Sequence, residues 1–161
     1  MDELNKDSEF VKALGRTPSG LFIVTACHED KRAAYLASFV QQASFKPLVF
    51  SIACHPERYP YTLIKKSQRF GLNVIPEGDK VLMKTFAKGH GPDEDLIASV
   101  AHEMVEGVPL LKDALGSAVC EVSEEIKPGD HAIFYGEVKA GLLFDESAKP
   151  WVHIRKSALS Y

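Results

Sequence analysis

The sequence predicts a β-dominated domain with peripheral helices, its antiparallel strands rolled into a closed or nearly closed barrel. Three observations carry this expectation. Strand-like runs rich in β-branched and aromatic residues outnumber helical ones, the helical segments lack the regular alternation that builds parallel sheets, and turn-forming stretches such as Lys127-Pro128-Gly129-Asp130 join neighbouring strands.

In chain order, Ser8 is placed to cap a short helix from Glu9 to Leu14, which Gly15 ends, and Pro18-Ser19-Gly20 turns the chain into a strand from Leu21 to Cys27. The charged run His28-Glu29-Asp30-Lys31-Arg32 reads as a turn to a second strand, Ala33 to Ser38, so a hairpin is predicted. After Pro47, the stretch Leu48 to Cys54 mixes large and small residues as a buried barrel strand does. Pro60 to Ser67 has a proline in its first turn and lysines in its last, both suited to a helix. Phe70 to Ile75 returns as a strand and stops at Pro76. A further helix, Asp79 to Phe86, sets Val81, Leu82, Thr85 and Phe86 at roughly helical spacing before Lys88-Gly89-His90-Gly91-Pro92 breaks it. The middle of the chain then reads as irregular. Two long strands, Ala118 to Ile126 and His131 to Leu143, and a last one, Trp151 to Arg155, complete the pattern.

Bulk properties narrow the function classes. A length of 161 residues without linker, repeat or low-complexity run fits one domain over residues 1–161. With 45% apolar residues, 25% charged residues and a net charge of -3, the composition is that of an ordinary globular protein and does not favour nucleic acid as a partner. Cys27, Cys54 and Cys120 are odd in number and widely spaced, which suits a reducing, cytoplasmic setting better than a disulfide framework or a zinc site. The N-terminal residues lack a leader pattern, and no stretch approaches the ~20 apolar residues of a membrane span. A soluble protein is therefore expected.

Three stretches could carry chemistry. Ala37 to Pro47 interrupts two apolar strands with small and amide residues and reads as a ligand-facing bend. Ser38, Gln41, Gln42 and Ser44 offer hydrogen bonds beside the apolar cover of Ala37, Phe39 and Val40, although such residues can equally bond their own backbone. The loop His55-Pro56-Glu57-Arg58-Tyr59-Pro60-Tyr61-Thr62 feeds a helix start, where amide hydrogens, Arg58 and Thr62 suit an anion; pairing of Arg58 with Glu57 or another acid is the alternative. His131 opens a strand after Pro128-Gly129-Asp130, placed either to meet a ligand or to satisfy the turn. Gly136 marks a bulge or a close backbone approach. His102-Glu103-Met104-Val105-Glu106 lacks the second histidine of a zinc-binding helix, and the other histidines form no ligand set, so no metal is expected. Lys88-Gly89-His90-Gly91-Pro92 matches neither phosphate-loop nor dinucleotide fingerprints.

Four blocks in order resemble the flavin reductase-like family, which includes flavoredoxins and the flavin reductase modules of some flavodiiron proteins. They are residues 16–26, residues 36–47, Phe70-Gly71-Leu72-Asn73-Val74, and Gly129-Asp130-His131 with Tyr135-Gly136-Glu137-Val138; the Lys88-Gly89 pair and residues 152–157 are similar as well. The resemblance spans nearly the whole chain. It implies a six-stranded antiparallel Greek-key split β-barrel and a homodimer with one FMN per subunit near the subunit interface. Carried over by position, Ala37, Ser38, Val40, Gln41 and Gln42 would line the isoalloxazine ring, with Ala53 beside it. Arg58, Tyr61 and Thr62 would hold the phosphate end, Lys88 would stand nearby, and His131 would lie by the ring or the incoming nicotinamide. Two departures bear on pocket shape: Tyr35 is bulkier than the pattern's small residue, and His90 replaces an apolar or aromatic one.

The activity so implied is hydride transfer from NADH or NADPH to bound FMN, with electrons passing to free flavin, iron, oxygen or a protein partner. Alternatives are an FMN-binding electron carrier with little nicotinamide oxidation, and a non-catalytic dimeric barrel. A cofactor that supplies the redox chemistry explains why no acid–base dyad or nucleophile stands out.

Overall fold

The computed structural model describes residue 5 and residues 7–159; residues 1–4 and 6, part of the stretch read for a leader, lie outside the described residues, as do residues 160–161. In chain order the elements are α1 (Glu9–Gly15), β1 (Ser19–Gly20), β2 (Phe22–His28), β3 (Lys31–Ala37), β4 (Val40–Phe45), β5 (Leu48–Cys54), α2 (Tyr59–Ser67), β6 (Arg69–Val74), α3 (Lys80–Ala87), a 3-10 turn (Leu96–Ser99), β7 (His102–Val105), β8 (Val108–Leu111), β9 (Gly116–Ile126), β10 (Ala132–Leu143) and β11 (Val152–His153). No helix among the described residues is long and apolar enough to cross a membrane.

Seven strands form one sheet in the order β3-β2-β6-β9-β10-β5-β4, every pair antiparallel. The two edge strands, β3 and β4, are consecutive in the chain and are joined only by Ser38 and Phe39. A two-residue link cannot cross a flat seven-stranded sheet, because strands lie about 4.8 Å apart. The sheet therefore rolls until its edges converge. No ladder joins β3 to β4 among the described residues, so the barrel is split along that line.

Period-two alternation fills the barrel. Val24, Ala26, Ala33, Tyr35, Ala37, Ile52, Phe70, Leu72 and Phe134 face one interior cluster, and α2 inserts Leu63 and Ile64 among them. Gly136 is required there: a Cβ would stand 2.5 Å from the Phe70 ring and 2.8 Å from Cys120 Cβ. A register shift between Tyr135 and Gly136 marks a bulge at the same point. Outside the barrel, Ile23, Ala34 and Ile75 pack against Leu82 and Phe86 of α3 and Ile97 of the 3-10 turn. Buried Asn73 stitches four segments. Its amide donates to the Ile23 carbonyl at 2.9 Å, and its Oδ1 accepts from Leu111 N at 2.8 Å and Ser117 Oγ at 2.7 Å.

Several local expectations change in detail. The segment read as a bend contains strand β4, so the main sheet has seven strands rather than six. Its polarity is that of an edge strand whose Gln41 and Gln42 face solvent. The irregular middle holds the hairpin β7–β8, turned by Glu106 and Gly107, both at positive φ (47° and 79°) as a tight primed turn demands. Ser8 makes no side-chain cap bond; its hydroxyl donates to the Asn5 carbonyl. The final strand is shorter than expected, with Val152 and His153 pairing Gly20 and Ser19.

Candidate functional site at the barrel seam

The seam between β3 and β4 is held by two bonds to Ala53 of β5. The Ala53 amide donates to the Phe39 carbonyl at 3.0 Å, and Tyr35 Oη donates to the Ala53 carbonyl at 2.9 Å. Three cavities meet around Phe39 and Ala53. Tyr35, expected to bear on pocket shape, points into the barrel with the alternate β3 residues Ala33 and Ala37.

The largest seam cavity, about 560 Å³, takes Ser38, Val40, Gln41 and Ala53 from the predicted set. Residues 17–20 and the C-terminal segment, through Val152 and Arg155, close its other side. The Arg155 guanidinium lies over the Phe39 ring, 4.7 Å from its centroid. Apolar walls with a few hydroxyl and amide groups suit a flat, heteroatom-edged ring.

A second cavity of about 370 Å³ is bounded by the loop 128–131. His131 Nδ1 donates to Asp130 Oδ1 at 2.8 Å, since a carboxylate only accepts, and this bond holds the Asp130 carboxyl below its ordinary range. The arrangement fixes the ring and leaves Nε2 for another partner. The His131 ring stands edge-on to Phe39 at 5.9 Å and to His55 at 5.4 Å.

Between these two lies a small cavity of about 20 Å³, bordered by Ala37, Ser38, His55, Arg58 and His131. Ser38 is 5% exposed, and its Oγ, like Arg58 Nη1, is buried without a hydrogen-bond partner. An unsatisfied buried polar group costs about 1–3 kcal/mol, more when charged. Arg58 stacks 5.9 Å from the Tyr35 ring centroid. Pairing with Glu57 does not occur: that carboxylate sits 3.9 Å from His55 instead. Behind Arg58 and Tyr35 is a fourth cavity, about 270 Å³, that Glu57, Gly89, His90 and Glu94 border. Buried His90 caps the edge of β3 through the Ala34 backbone, its Nε2 lying 2.8 Å from the carbonyl oxygen.

The predicted residues thus divide. Ser38, Val40, Gln41 and Ala53 share the large cleft, while Ala37, Arg58 and His131 border the small cavity beside it. Gln42, Tyr61, Thr62 and Lys88 line none of the four cavities. Gln42 is exposed and donates to the Ser44 carbonyl at 3.4 Å. Tyr61 packs against Phe134 and donates to Glu125 Oε1 at 2.8 Å. Burial pushes the Glu125 carboxyl up, but hydrogen bonds from Lys65 and Tyr61 outweigh it and hold the group below its usual range. Thr62 is exposed on α2, and Lys88 is exposed next to Gly89 of the fourth cavity. Sequence reasoning missed His55 and Arg155 as lining residues. His55 lay inside the loop singled out for Arg58; Arg155 lay in the family-like block 152–157, but nothing local tied it to the seam, because only the fold brings the C-terminal segment there.

The flavin reductase like domain family matches residues 14–160. A relative from Nostoc sp. (strain PCC 7120) is 43% identical over 152 residues, 93% of this chain. Diflavin flavoprotein A 1 of Synechocystis sp. is 39% identical over 152 residues, also 93% of this chain. The chain spans about a quarter of the length of these relatives, 26% in both cases. Among solved structures, the NADH:FAD oxidoreductase SgcE6 of Streptomyces globisporus has a similar fold, with a TM-score of 0.83 at 22% identity, covering 97% of this chain and 95% of that one. The flavin reductase PheA2 gives 0.79 at 24% identity, with 95% of each chain covered. With a family match that leaves out only the first residues and the last, and relatives this similar along the chain, the protein belongs to the flavin reductase-like domain family.

Proposed function

We propose that this domain holds FMN at the barrel seam and accepts reducing equivalents there from NADH or NADPH, passing electrons on to free flavin, iron or a protein acceptor. The observation that carries the reading is the pair of buried, unpartnered atoms at the seam, Ser38 Oγ and Arg58 Nη1. Groups so placed suit a ligand that brings both a hydrogen-bonding edge and an anion. Family membership and the similarity to an oxidoreductase named for NADH and FAD support the same chemistry.

Each residue has a part that needs no general acid or base. Arg58 meets the phosphate, Ser38 and Gln41 offer hydrogen bonds to the ring edge, and Val40 and Ala53 give apolar cover. His131, fixed by Asp130, flanks the second cavity, where the nicotinamide would enter. Bound FMN would supply the two-electron chemistry that these side chains lack. Phe45 is 86% exposed and Leu48 40% exposed at the β4–β5 turn, and such an apolar tip supports assembly as a homodimer.

A second reading, an electron carrier for a protein partner, is favoured by one observation: this domain makes up about a quarter of the diflavin flavoproteins it matches. An anaerobic visible spectrum after FMN loading and desalting separates the readings. Retained colour that bleaches with NADH or NADPH is expected; retained colour that bleaches only with a protein donor or dithionite selects the carrier. Loss of colour on desalting contradicts both.

A further inference from the structure

Among the described residues that line the large seam cleft, Arg155 is the only one that carries a charge. The segment bearing it is firmly docked. The Arg155 amide donates to the Gly15 carbonyl at 3.1 Å, the Ala158 amide to the Val11 carbonyl at 2.9 Å, and His153 pairs with Ser19 across β1 and β11. Packing seals the same contact: a Cβ on Gly15 would come within 2.5 Å of the Ser157 backbone. The guanidinium is thereby held over Phe39, at the wall of a cleft otherwise lined by neutral groups. A cation acts more strongly there than in bulk water, because the surrounding walls screen it less.

Arg155 and Arg58 stand in different cavities. Arg58 borders the small one with Ser38, and Arg155 faces the large one that takes the ring. We propose that Arg155 is a positioning charge that favours the reduced, anionic form of a bound flavin ring over its neutral forms. The inference rests on the reading that FMN occupies this cleft. Two electrons and one proton convert the neutral oxidised ring to the reduced anion, and a second proton neutralises it. The nicotinamide donor supplies the electrons in turnover, and dithionite can supply them in a titration. A fixed cation therefore raises the reduction potential and lowers the pH at which the reduced ring takes up its second proton.

The test is an anaerobic potentiometric titration of the FMN-loaded full chain, with the absorbance of the reduced state followed against pH. Arg155→Gln is expected to keep FMN and to shift the balance at a fixed potential about tenfold toward the oxidised form, or about 30 mV for a two-electron couple. Its reduced-state protonation is expected to move about one pH unit upward, and Arg155→Lys to restore most of both shifts. An Arg155→Gln protein with wild-type potential and pH transition overturns the proposal. So does an Arg155→Gln protein that loses FMN while Arg155→Lys retains it, because Arg155 then serves to hold the cofactor. Phe39→Leu, which removes the stacking platform, gives the readout if Arg155→Gln does not fold: a smaller shift in the same direction is expected, and an unchanged potential overturns the idea. A wild-type chain that holds no FMN overturns the flavin reading itself, and this inference with it.

Discussion

Tyr35 Oη donates to the Ala53 carbonyl at 2.9 Å, a side-chain bond that ties β3 to β5 where no backbone ladder does. The phenol thus substitutes for sheet pairing at the seam and forms the platform on which Arg58 stacks. Tyr35→Phe should lower stability by about 1 kcal/mol, the net worth of one hydrogen bond. A urea titration reads this as a lower midpoint at unchanged slope; an unchanged midpoint would show that the seam is held by packing alone.

Ser38 should show opposite signs in two assays. Its hydroxyl is buried and unpartnered in the protein without ligand, so Ser38→Ala should leave the free chain equally stable or up to about 1 kcal/mol more stable. The same change should weaken FMN binding by roughly three- to tenfold, the loss of one hydrogen bond. Thermal melts without ligand, paired with fluorescence titration of FMN, check both arms.

Gly136→Ala should be among the most damaging single-methyl changes in the chain. The added carbon would overlap a fully buried Phe70 ring and Cys120 at once, so a cost of about 1–3 kcal/mol or more is expected. Combining it with Phe70→Leu should recover part of that loss in a denaturant titration. Strict additivity would mean the clash is elsewhere.

The buried thiols make stability depend on alkaline pH. Burial pushes Cys54 up to about 11 and Cys120 up to about 12 from the ordinary 9.0. Above pH 9 the unfolded chain releases protons that the folded chain keeps, so stability is fully present below pH 9 and declines as pH rises toward the folded values. The slope should approach about 1.4 kcal/mol per pH unit for each thiol. Denaturant midpoints between pH 8 and 11 measure it, and Cys120→Ala should flatten the decline.

If the chain pairs as the homodimer proposed above, Phe45→Glu should leave the monomer fold intact, because the side chain is 86% exposed, while shifting sedimentation toward a single chain. A sedimentation coefficient identical to wild type would remove the β4–β5 tip from the proposed dimer contact.

Legibility followed burial pattern. The long strand β10 was readable because its alternation is set by one buried face, and β2, β3 and β9 because their largely buried runs are rich in apolar and β-branched residues. Strand β4 was not: an edge strand exposing Gln41 and Gln42 looks like a polar loop. The β7–β8 hairpin hid behind Pro109, although Glu106-Gly107 carried a turn signal. Ser38 stood out as a polar group between apolar strands, and Arg58 as a cation at the start of a helix that follows one. Tyr61 and Thr62 did not follow Arg58 to the seam, because successive residues on a helix point in different directions; Tyr61 turns to Glu125 and Thr62 to solvent. Arg155 depended on contact between distant parts of the chain, which no local window contains.

The link through Ser38 and Phe39 makes the rolled shape a matter of chain connectivity. All of the ladders would survive cleavage between those two residues, yet nothing covalent would then stop the sheet from flattening. A circularly permuted chain opened there should keep its strand content while Ser38 and Ala53 drift apart. The candidate site, on this view, is less a pocket carved in a barrel than a knot tied by one peptide bond.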